Sequence, residues 1–166
     1  PPSPLTADDD FRHAMDLALR LLKFRARTRA ELADRLKRKK VEAALVPRVV
    51  DRLTELKLVD DAELARQTVE SRRRANQGDH RIRRDLRKRG LGSDAVEDAL
   101  AAAETPAGSD ADRAWEALRR RAGRMKALDP RVARRRLEGY LFRQGFDADD
   151  VRSALRRFFS NQGEDE

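Results

Sequence analysis

The chain has 166 residues, of which 41% are charged and 39% are hydrophobic, and its 38 lysines and arginines outnumber its 30 aspartates and glutamates. The net charge of +8 favours a polyanionic partner, because cations attract a polyanion and release its counterions, although a merely well-solvated surface is the alternative. The lack of cysteine excludes a disulfide framework, a thiol nucleophile and a thiolate metal site, and it is typical of a cytoplasmic protein.

The first ten residues combine three prolines with three aspartates and predict a flexible arm that ends in a helix cap at Asp9 or Asp10. This start has neither the basic nor the apolar region of a signal peptide. No apolar run approaches the roughly 20 residues that span a bilayer, so we expect neither export nor membrane insertion. A first helix is predicted over about residues 11–25, with an inward face formed by Ala14, Met15, Leu17, Ala18, Leu19, Leu21 and Leu22.

One apolar pattern occurs three times, with 50 and then 55 residues between copies. Within each copy the successive apolar positions lie four, five, five and four residues apart. This spacing predicts a helix, a tight turn and a second helix in every copy. The fifteen residues are Leu32, Leu36, Val41, Val46 and Val50, then Ile82, Leu86, Leu91, Val96 and Leu100, and finally Leu137, Leu141, Phe146, Val151 and Leu155.

The turn of each copy contains a residue that predicts its geometry. Gly90 and Gly145 precede the third apolar position, where a helix C-terminus favours a left-handed residue. Lys40 holds the corresponding place in the first copy, so we expect that turn to end differently. Each second helix should begin near a first-turn proline or a capping side chain. These starts are Pro47, Ser93 and Asp147.

Two further helix starts are marked by capping residues. Thr28, followed three residues later by Glu31, fits a capping box. Asp60 or Asp61 is placed to cap a helix over residues 62–75; paired carboxylates also suggest acid–base chemistry, but no His, Ser or Cys stands near them, so a cap is preferred. This helix would bury Leu64, Ala65, Thr68 and Val69, and the helix opened by Pro47 would bury Val49, Val50, Leu53 and Leu56.

The second copy concentrates positive charge on one helix. Residues 79–90 hold six basic and two acidic residues. If Ile82 and Leu86 face inward, the 100-degree step per residue places Arg83, Arg84, Arg87 and Lys88 outside. A stripe that faces an anion is preferred over a solvated helix, which would balance its charges with more acids. The helix before it leaves through Arg72, Arg73 and Arg74.

The third copy follows a helix-breaking segment at residues 101–110, which we expect to act as a hinge. A helix starting at Asp110 or Asp112 would turn Trp115 and Leu118 inward and expose Arg119, Arg120, Arg121 and Arg124. Asp129 and Pro130 predict the next helix start. That helix would bury Leu137, Tyr140 and Leu141 and expose Arg135, Arg136 and Arg143.

Two predictions concern the end of the chain. Phe142 falls outside the inward arc of its helix, and we expect it to pack on a neighbouring copy rather than contact a partner. The last helix, over about residues 148–159, would bury Val151, Leu155 and Phe158 and end in an acidic tail.

Motifs for catalysis or cofactor binding are missing from the sequence. There is no phosphate-binding loop, no dinucleotide-binding glycine motif, no HExxH sequence and no cysteine pair. His13 and His80 fall in different copies without carboxylates at a supporting spacing, so we expect them at the surface. The sequence therefore predicts a binding protein without metal or cofactor. Aromatic residues make up 5% and mostly occupy core positions, which favours backbone phosphate contacts over base stacking.

Three blocks resemble the RecX family of bacterial recombination regulators. They are LVDDAELARQTVESRRR at residues 58–74, GDHRIRRDLRKRGLGSDAVEDAL at 78–100 and RTRAELADRLKRKKV at 27–41. The positions that support the resemblance are Asp60, Asp61, Ala65, Gly78, Ile82, Leu86, Gly90 and Val96. The resemblance covers roughly residues 12–159 and is strongest over 28–100.

The resemblance implies an all-α fold, an elongated array of three tandem three-helix repeats. It also implies binding to RecA, particularly to its filament on single-stranded DNA, and modulation, usually inhibition, of recombinase, ATPase and repressor-cleaving activities in DNA repair and the SOS response; some members also bind DNA. The predicted organisation is an arm at 1–10, repeats at 11–58 and 59–104, a linker at 105–109, a third repeat at 110–159 and an acidic tail at 160–166.

The predicted contacts to RecA or DNA are the outward cations. They are Arg72, Arg73, Arg74, Arg83, Arg84, Arg87, Lys88, Arg120, Arg121, Arg135, Arg136 and Arg143. We expect a monomer that binds RecA and single- or double-stranded DNA, with no membrane partner and no cofactor. The alternative is an architectural nucleic-acid-binding protein that needs no protein partner, and an enzyme is a distant third.

Overall fold

The computed structural model describes residues 7–103, 108–125 and 128–161. These residues form nine α-helices and one short 3-10 helix, and no strand occurs among them, which confirms the predicted all-α fold. The predictions for residues 1–6 of the arm, 104–107 in the linker segment and 162–166 of the tail lie outside the described residues. Within the described part of the chain, no helix is both long and apolar enough to cross a membrane.

The helices fall into three consecutive groups of three. Repeat 1 consists of α1 (Ala7–Phe24), α2 (Arg29–Arg38) and α3 (Leu45–Glu55). Repeat 2 consists of α4 (Asp61–Arg74), α5 (Asp79–Lys88) and α6 (Ser93–Ala102). Repeat 3 consists of α7 (Asp110–Ala122), α8 (Pro130–Gln144) and α9 (Ala148–Asn161), with the 3-10 helix Gly123–Met125 after α7.

Each repeat packs around its own hydrophobic core. Fourteen of the fifteen residues of the apolar pattern are buried, and the exception, Val41, is partly buried against the first core. The pattern is therefore the inner face of the second and third helix of every repeat, as its spacing predicts. Because each core is small, the repeats also depend on contacts with their neighbours.

The three turns that follow α2, α5 and α8 have the same geometry. Gly90 and Gly145 adopt φ angles of 88° and 92°, as predicted. Lys40 also adopts a left-handed φ of 62°, and in each turn the next amide donates to the carbonyl five residues back. The expectation that the Lys40 turn ends differently is therefore wrong. A side chain in this conformation costs about 1–2 kcal/mol, which the shared turn geometry outweighs.

Most predicted helix caps are confirmed. Thr28 and Glu31 form both hydrogen bonds of a capping box. Asp60 accepts from the Glu63 amide at 2.9 Å, and Asp129 caps α8 with Pro130 as its first residue. The remaining confirmed cap is Asp147, which accepts from the Asp150 amide of α9 at 2.8 Å.

The predicted start of α1 is wrong, whereas α3, α6 and α7 begin at or within two residues of the positions predicted for them. Helix α1 begins at Ala7, so Asp9 and Asp10 lie in its first turn, where their charges favour the helix N-terminus. Helix α3 begins at Leu45, and Pro47 is its third residue, a place where a missing amide proton breaks no helix hydrogen bond. Helix α6 begins at Ser93, but Gly92 is its cap. Ser109 caps α7, with Asp112 completing the capping box.

Three apolar side chains that were expected to pack against other residues are half exposed. Leu19 is 41% exposed because α1 buries Ala14 and Ala18 completely and Leu19 lies 100° further around the helix. Leu56 is 46% exposed because α3 ends at Glu55, before its side chain reaches the core. Phe142 is 47% exposed and belongs to none of the three cores, and its packing on a neighbouring copy stays a prediction.

Repeats 1 and 2 meet where the start of α2 contacts the turn after α5. The Thr28 hydroxyl, fully buried, donates to the Arg89 carbonyl at 2.6 Å. In the same contact the Arg89 guanidinium donates to the Glu31 carboxylate, with an Nη2–Oε2 distance of 3.0 Å. We call this contact the first junction.

Repeats 2 and 3 meet in the same way, where the start of α5 contacts the turn after α8. The Gly78 amide donates to the Gln144 carbonyl at 2.9 Å, and the His80 amide donates to the Gly145 carbonyl at 3.2 Å. We call this contact the second junction. The two junctions place α2, α5 and α8 end to end, each helix starting where the corresponding helix of the next repeat ends.

Candidate polyanion-binding surface

The outer face of α5 forms a basic groove. His80, Arg84 and Lys88 recur every four residues along the helix, and Arg83 and Arg87 complete the lining. We call this set the α5 groove. Helix geometry explains it, because Ile82 and Leu86 are fully buried and direct the intervening positions outward.

The cations of the α5 groove differ in how firmly they are held. Arg83 donates to Glu97 of α6, with an Nε–Oε1 distance of 2.9 Å, and this hydrogen bond raises the pKa of Arg83 and lowers the pKa of Glu97. Arg84 is exposed and lies 4.0 Å from Asp85, at the limit of an ion pair. Arg87 and Lys88 are exposed and have no ion pair within the described residues. Three of the four arginine and lysine side chains are thus available to an external anion.

A second basic groove lies between α7 and α8 in repeat 3. The structure brings together four cations that the sequence predicted separately, and they line the groove with one aromatic ring, one glycine and two apolar side chains. The lining residues are Arg121, Arg135, Arg136 and Arg143, with Tyr140, Gly139, Met125 and Val132. We call this set the α7–α8 groove, and none of its lining residues is acidic.

The two grooves occupy corresponding faces of the middle helices. At the spacing of 55 residues, Arg135 and Arg143 correspond to His80 and Lys88. In repeat 1, the positions that correspond to His80, Arg84 and Lys88 are Ala30, Asp34 and Arg38. Arg38 pairs with Asp34 there at 2.9 Å, and Lys37, the counterpart of Arg87, is exposed without an ion pair among the described residues. This face of repeat 1 therefore carries fewer available cations than the α5 groove.

The other predicted surface cations lie apart from these grooves. Arg72 lines a separate groove with Arg25 and Arg89, near the first junction. Arg74 is exposed and lies 3.9 Å from Glu70, and Arg120 is exposed on α7. These three positions are surface cations, as predicted.

Arg73 is the one predicted contact residue that is not at the surface. Its exposed fraction is 7%, and its guanidinium donates to Asp79 at 2.8 Å and to the Ala103 carbonyl at 3.1 Å. The surface prediction for Arg73 is wrong because it follows Val69 by one helical turn and continues the buried face of α4.

Arg113 shares the same carboxylate and was missed by sequence reasoning. It is 1% exposed and donates to Asp79 at 3.1 Å and to Asp110 at 2.6 Å. When α4 and α7 are aligned at their caps, Asp60 and Ser109, the residue of α4 that corresponds to Arg113 is the apolar Leu64. A charged residue at an apolar position of the repeat is the signal that could have revealed this buried network.

The histidines stand at the surface, as predicted. His13 and His80 are both exposed and lie in different repeats. Among the described residues, no group of histidines and carboxylates is arranged to hold a metal ion.

Comparison with known proteins identifies the family. Three family models match in order: the first three-helix domain of RecX at residues 14–53, the second at 60–100 and the third at 109–155. The chain is 39% identical over 155 residues to Regulatory protein RecX of Mycolicibacterium vanbaalenii, covering 87% of this chain and 83% of the relative. The chain belongs to the RecX family. A more distant RecX, from Chlorobium phaeobacteroides, is 31% identical and is covered over 98% of its length, against 92% of this chain.

Solved structures of the RecX family confirm the three-repeat fold. A crystal structure of RecX from Lactobacillus salivarius has a TM-score of 0.77 at 22% identity and covers 90% of this chain and 97% of its own. A second RecX crystal structure has a TM-score of 0.75, also at 22% identity, and covers 87% of this chain and 71% of its own. The relatives are named regulatory proteins, which confirms the prediction of a regulator rather than an enzyme.

Proposed function

We propose that this chain binds RecA and the filament that RecA forms on single-stranded DNA, and that it lowers the recombinase, ATPase and repressor-cleaving activities of that filament. Family membership supports the regulatory part of this proposal. The observation that supports a polyanionic contact is the α5 groove, where exposed Arg84, Arg87 and Lys88 face solvent beside a single held arginine.

The end-to-end arrangement of the repeats suits a filament as partner. Two junctions join the three repeats through hydrogen bonds at the ends of α2, α5 and α8, so the basic grooves of repeats 2 and 3 belong to one continuous array. A filament repeats its own surface along an axis, and several weak charged contacts in series would give strong binding. Because exposed charges are screened by salt, this binding should weaken as the ionic strength rises.

The direct test is ATP hydrolysis by RecA on single-stranded DNA, titrated with this protein well below one copy per RecA. Naked-strand binding is measured in the same buffer. Inhibition at ratios where little DNA can be covered supports a regulator of filament growth or stability. Inhibition that begins only when the strand is saturated would support competition for DNA, and with it the alternative of an architectural nucleic-acid-binding protein.

The α5 groove is tested by reversing Arg84, Arg87 and Lys88 to Glu. We expect this triple variant to lose inhibition at low ratios while its helicity and melting temperature stay close to wild type, because all three side chains are exposed. The matched control reverses three exposed arginines that line neither groove and changes the net charge equally: Arg20, Arg131 and Arg156. An equal loss of inhibition in both variants would show that net charge, not the groove, determines binding.

A further inference from the structure

The α7–α8 groove differs from the α5 groove in three physical respects. It contains the half-buried ring of Tyr140, whereas the α5 groove has only an imidazole among its cations. Its floor includes Gly139, where the helix backbone has no side chain to cover it. Its remaining lining includes Met125 and Val132, and Val132 is 43% exposed.

Tyr140 and Arg121 form a stacked pair in the lining of this groove. The Arg121 guanidinium lies over the Tyr140 ring, with 5.5 Å from Cζ to the ring centroid, within the range of a cation–π contact. Both a tyrosine ring and an arginine plane are surfaces on which an unpaired base stacks. The sequence-based expectation that aromatic residues serve the core therefore holds only in part for Tyr140, which packs on the core and also lines the groove.

Helix α8 also supplies charge close to the ring, because Arg136 and Arg143 lie about one helical turn before and after Tyr140. Arg143 folds back along α8, and a Cβ built at position 139 would lie 3.2 Å from its Nη1 atom. Glycine at 139 therefore leaves room for this guanidinium over the helix. Arg135 and Arg136 are exposed and, within the described residues, have no ion pair to neutralise them.

We infer that the α7–α8 groove binds a short stretch of a single nucleic-acid strand, with its arginines on the phosphates and an unpaired base against Tyr140 and Arg121. The inference rests on the proposed function, since a regulator of a filament on single-stranded DNA encounters such a strand. It adds a second contact surface, in repeat 3, that acts without RecA.

The lining favours a strand over an acidic polypeptide. Carboxylates need only cations, which the α5 groove supplies without an aromatic ring. A ring, a guanidinium plane and apolar Met125 and Val132 beside unpaired arginines match the alternation of flat base and charged phosphate. A duplex keeps its bases stacked inside, so it could use the arginines but not the ring.

The test measures binding of a labelled oligothymidine of about 12 nucleotides by fluorescence anisotropy, with no RecA present, over a range of salt concentrations. Reversing Arg136 and Arg143 to Glu should weaken binding at least about tenfold and reduce the salt slope by about 2, one for each lost phosphate contact. The control reverses exposed Arg20 and Arg156, which changes net charge equally, and it should keep the wild-type salt slope.

The ring is tested by Tyr140→Leu, which keeps apolar packing against the core and removes the stacking surface. We expect affinity for oligothymidine to fall about fivefold or more, while affinity for a duplex of the same length stays within about twofold. Melting temperature is followed in parallel to confirm that the variant is folded.

Three results would overturn the inference. The first is wild-type affinity of the Arg136/Arg143 variant for oligothymidine, and the second is an equal loss of strand and duplex binding on Tyr140→Leu. The third is displacement of oligothymidine by polyglutamate at equal charge concentration, which would identify an acidic protein surface as the occupant. None of these results bears on the RecA ATPase titration, so failure of the groove and failure of the proposed regulation are separable.

Discussion

The two junctions are built on one register but join through different groups. Thr28 and Gly78 correspond at the spacing of 50 residues, and Arg89 and Gln144 correspond at the spacing of 55. At the first junction a threonine hydroxyl reaches the carbonyl of the facing repeat, whereas at the second the Gly78 amide itself donates to it. The second junction therefore joins backbone to backbone at this point, where the first joins a side chain to backbone.

The side-chain pair that crosses each junction also differs in the position of its arginine. Glu31 accepts from Arg89 at the first junction, and Arg81 donates to Gln144 at the corresponding place in the second. The second junction in addition contains the partly buried Asp79, whose counterpart in repeat 1 is Arg29. Repetition thus fixes which positions meet, while the residue types at those positions set how close the repeats come and how much charge they bury.

Removing the Asp79 carboxylate should produce the largest effect that distinguishes the junctions. We predict that Asp79→Ala destabilises the protein by about 2–4 kcal/mol, because the buried guanidinium groups of Arg73 and Arg113 lose the carboxylate they share and Arg113 keeps only Asp110. Urea denaturation followed by circular dichroism measures this loss. Asp98→Ala, an exposed change on α6, is the control and should stay within about 0.5 kcal/mol of wild type. A cost below about 1 kcal/mol for Asp79→Ala would contradict the buried network.

The close approach at the second junction gives the next largest effect. A Cβ at position 78 would lie 2.2 Å from the Gly145 carbonyl oxygen, so we expect Gly78→Ala to cost about 1–3 kcal/mol or more. Gly92→Ala is the matched control, since Gly92 is also a helix cap with extended backbone but has open space around it. Equal unfolding free energies for the two variants would show that the repeats do not touch here.

The first of two opposite pH dependences concerns the first junction. Burial opposes ionisation of Glu31, but hydrogen bonds, chiefly from Arg89, outweigh it and hold its pKa below the ordinary 4.5. Its contribution to stability is therefore present above about pH 4.5 and lost as the pH falls through the lowered pKa. Glu31→Gln should destabilise the protein at pH 7 and have less effect near pH 3, as measured by urea denaturation at both pH values.

The second concerns Asp150, near the second junction. Burial, with the carboxylates of Asp147 and Asp110, raises the pKa of Asp150 to about 6 from 3.8. Its protonated form stabilises the fold below pH 3.8, and this contribution is lost as the pH rises through about 6. Asp150→Asn should therefore increase stability at pH 7.5 but not at pH 3.5. The same effect at both pH values would remove Asp150 as the titrating group.

The smallest effect is expected at the turn that no repeat covers. Gly90 and Gly145 have neighbours in the adjoining repeat, since a Cβ at either position would lie 2.4 Å from Ala30 or Arg81. Lys40 occupies the same turn in repeat 1 and is exposed. We predict that Lys40→Gly stabilises the protein by up to about 1 kcal/mol, as the left-handed strain is removed, whereas Gly90→Ala destabilises it. Thermal melting resolves the two signs.

The sequence predicted the repeat because an apolar pattern records which side chains a helix buries. Helix register carried a signal for the burial of Arg73 and Arg113 but not for their contacts, since their shared partner Asp79 lies in another helix and only the fold brings the three together. The Lys40 turn was misjudged for a related reason. Gly90 and Gly145 are constrained both by the left-handed turn and by close contact with the neighbouring repeat, whereas Lys40 is constrained by its turn alone.

The binding surface was predictable only as a set of outward cations. Helical spacing placed Arg135, Arg136 and Arg143 outside, and the structure confirms that position. Their meeting with Arg121 and Tyr140 depends on how α7 packs against α8, which no local pattern encodes. Single-helix periodicity can identify exposed charge on one helix, as in the α5 groove, but the α7–α8 groove needs two helices.

The most direct test of the account compares the affinity of the labelled protein for three targets in one buffer. These are RecA filaments on single-stranded DNA held by a slowly hydrolysed ATP analogue, the same strand without RecA, and RecA without DNA. The account predicts binding to the filament at least about tenfold tighter than to the naked strand, with the advantage lost when Arg84, Arg87 and Lys88 are reversed. Equal affinity for the filament and the naked strand would contradict it.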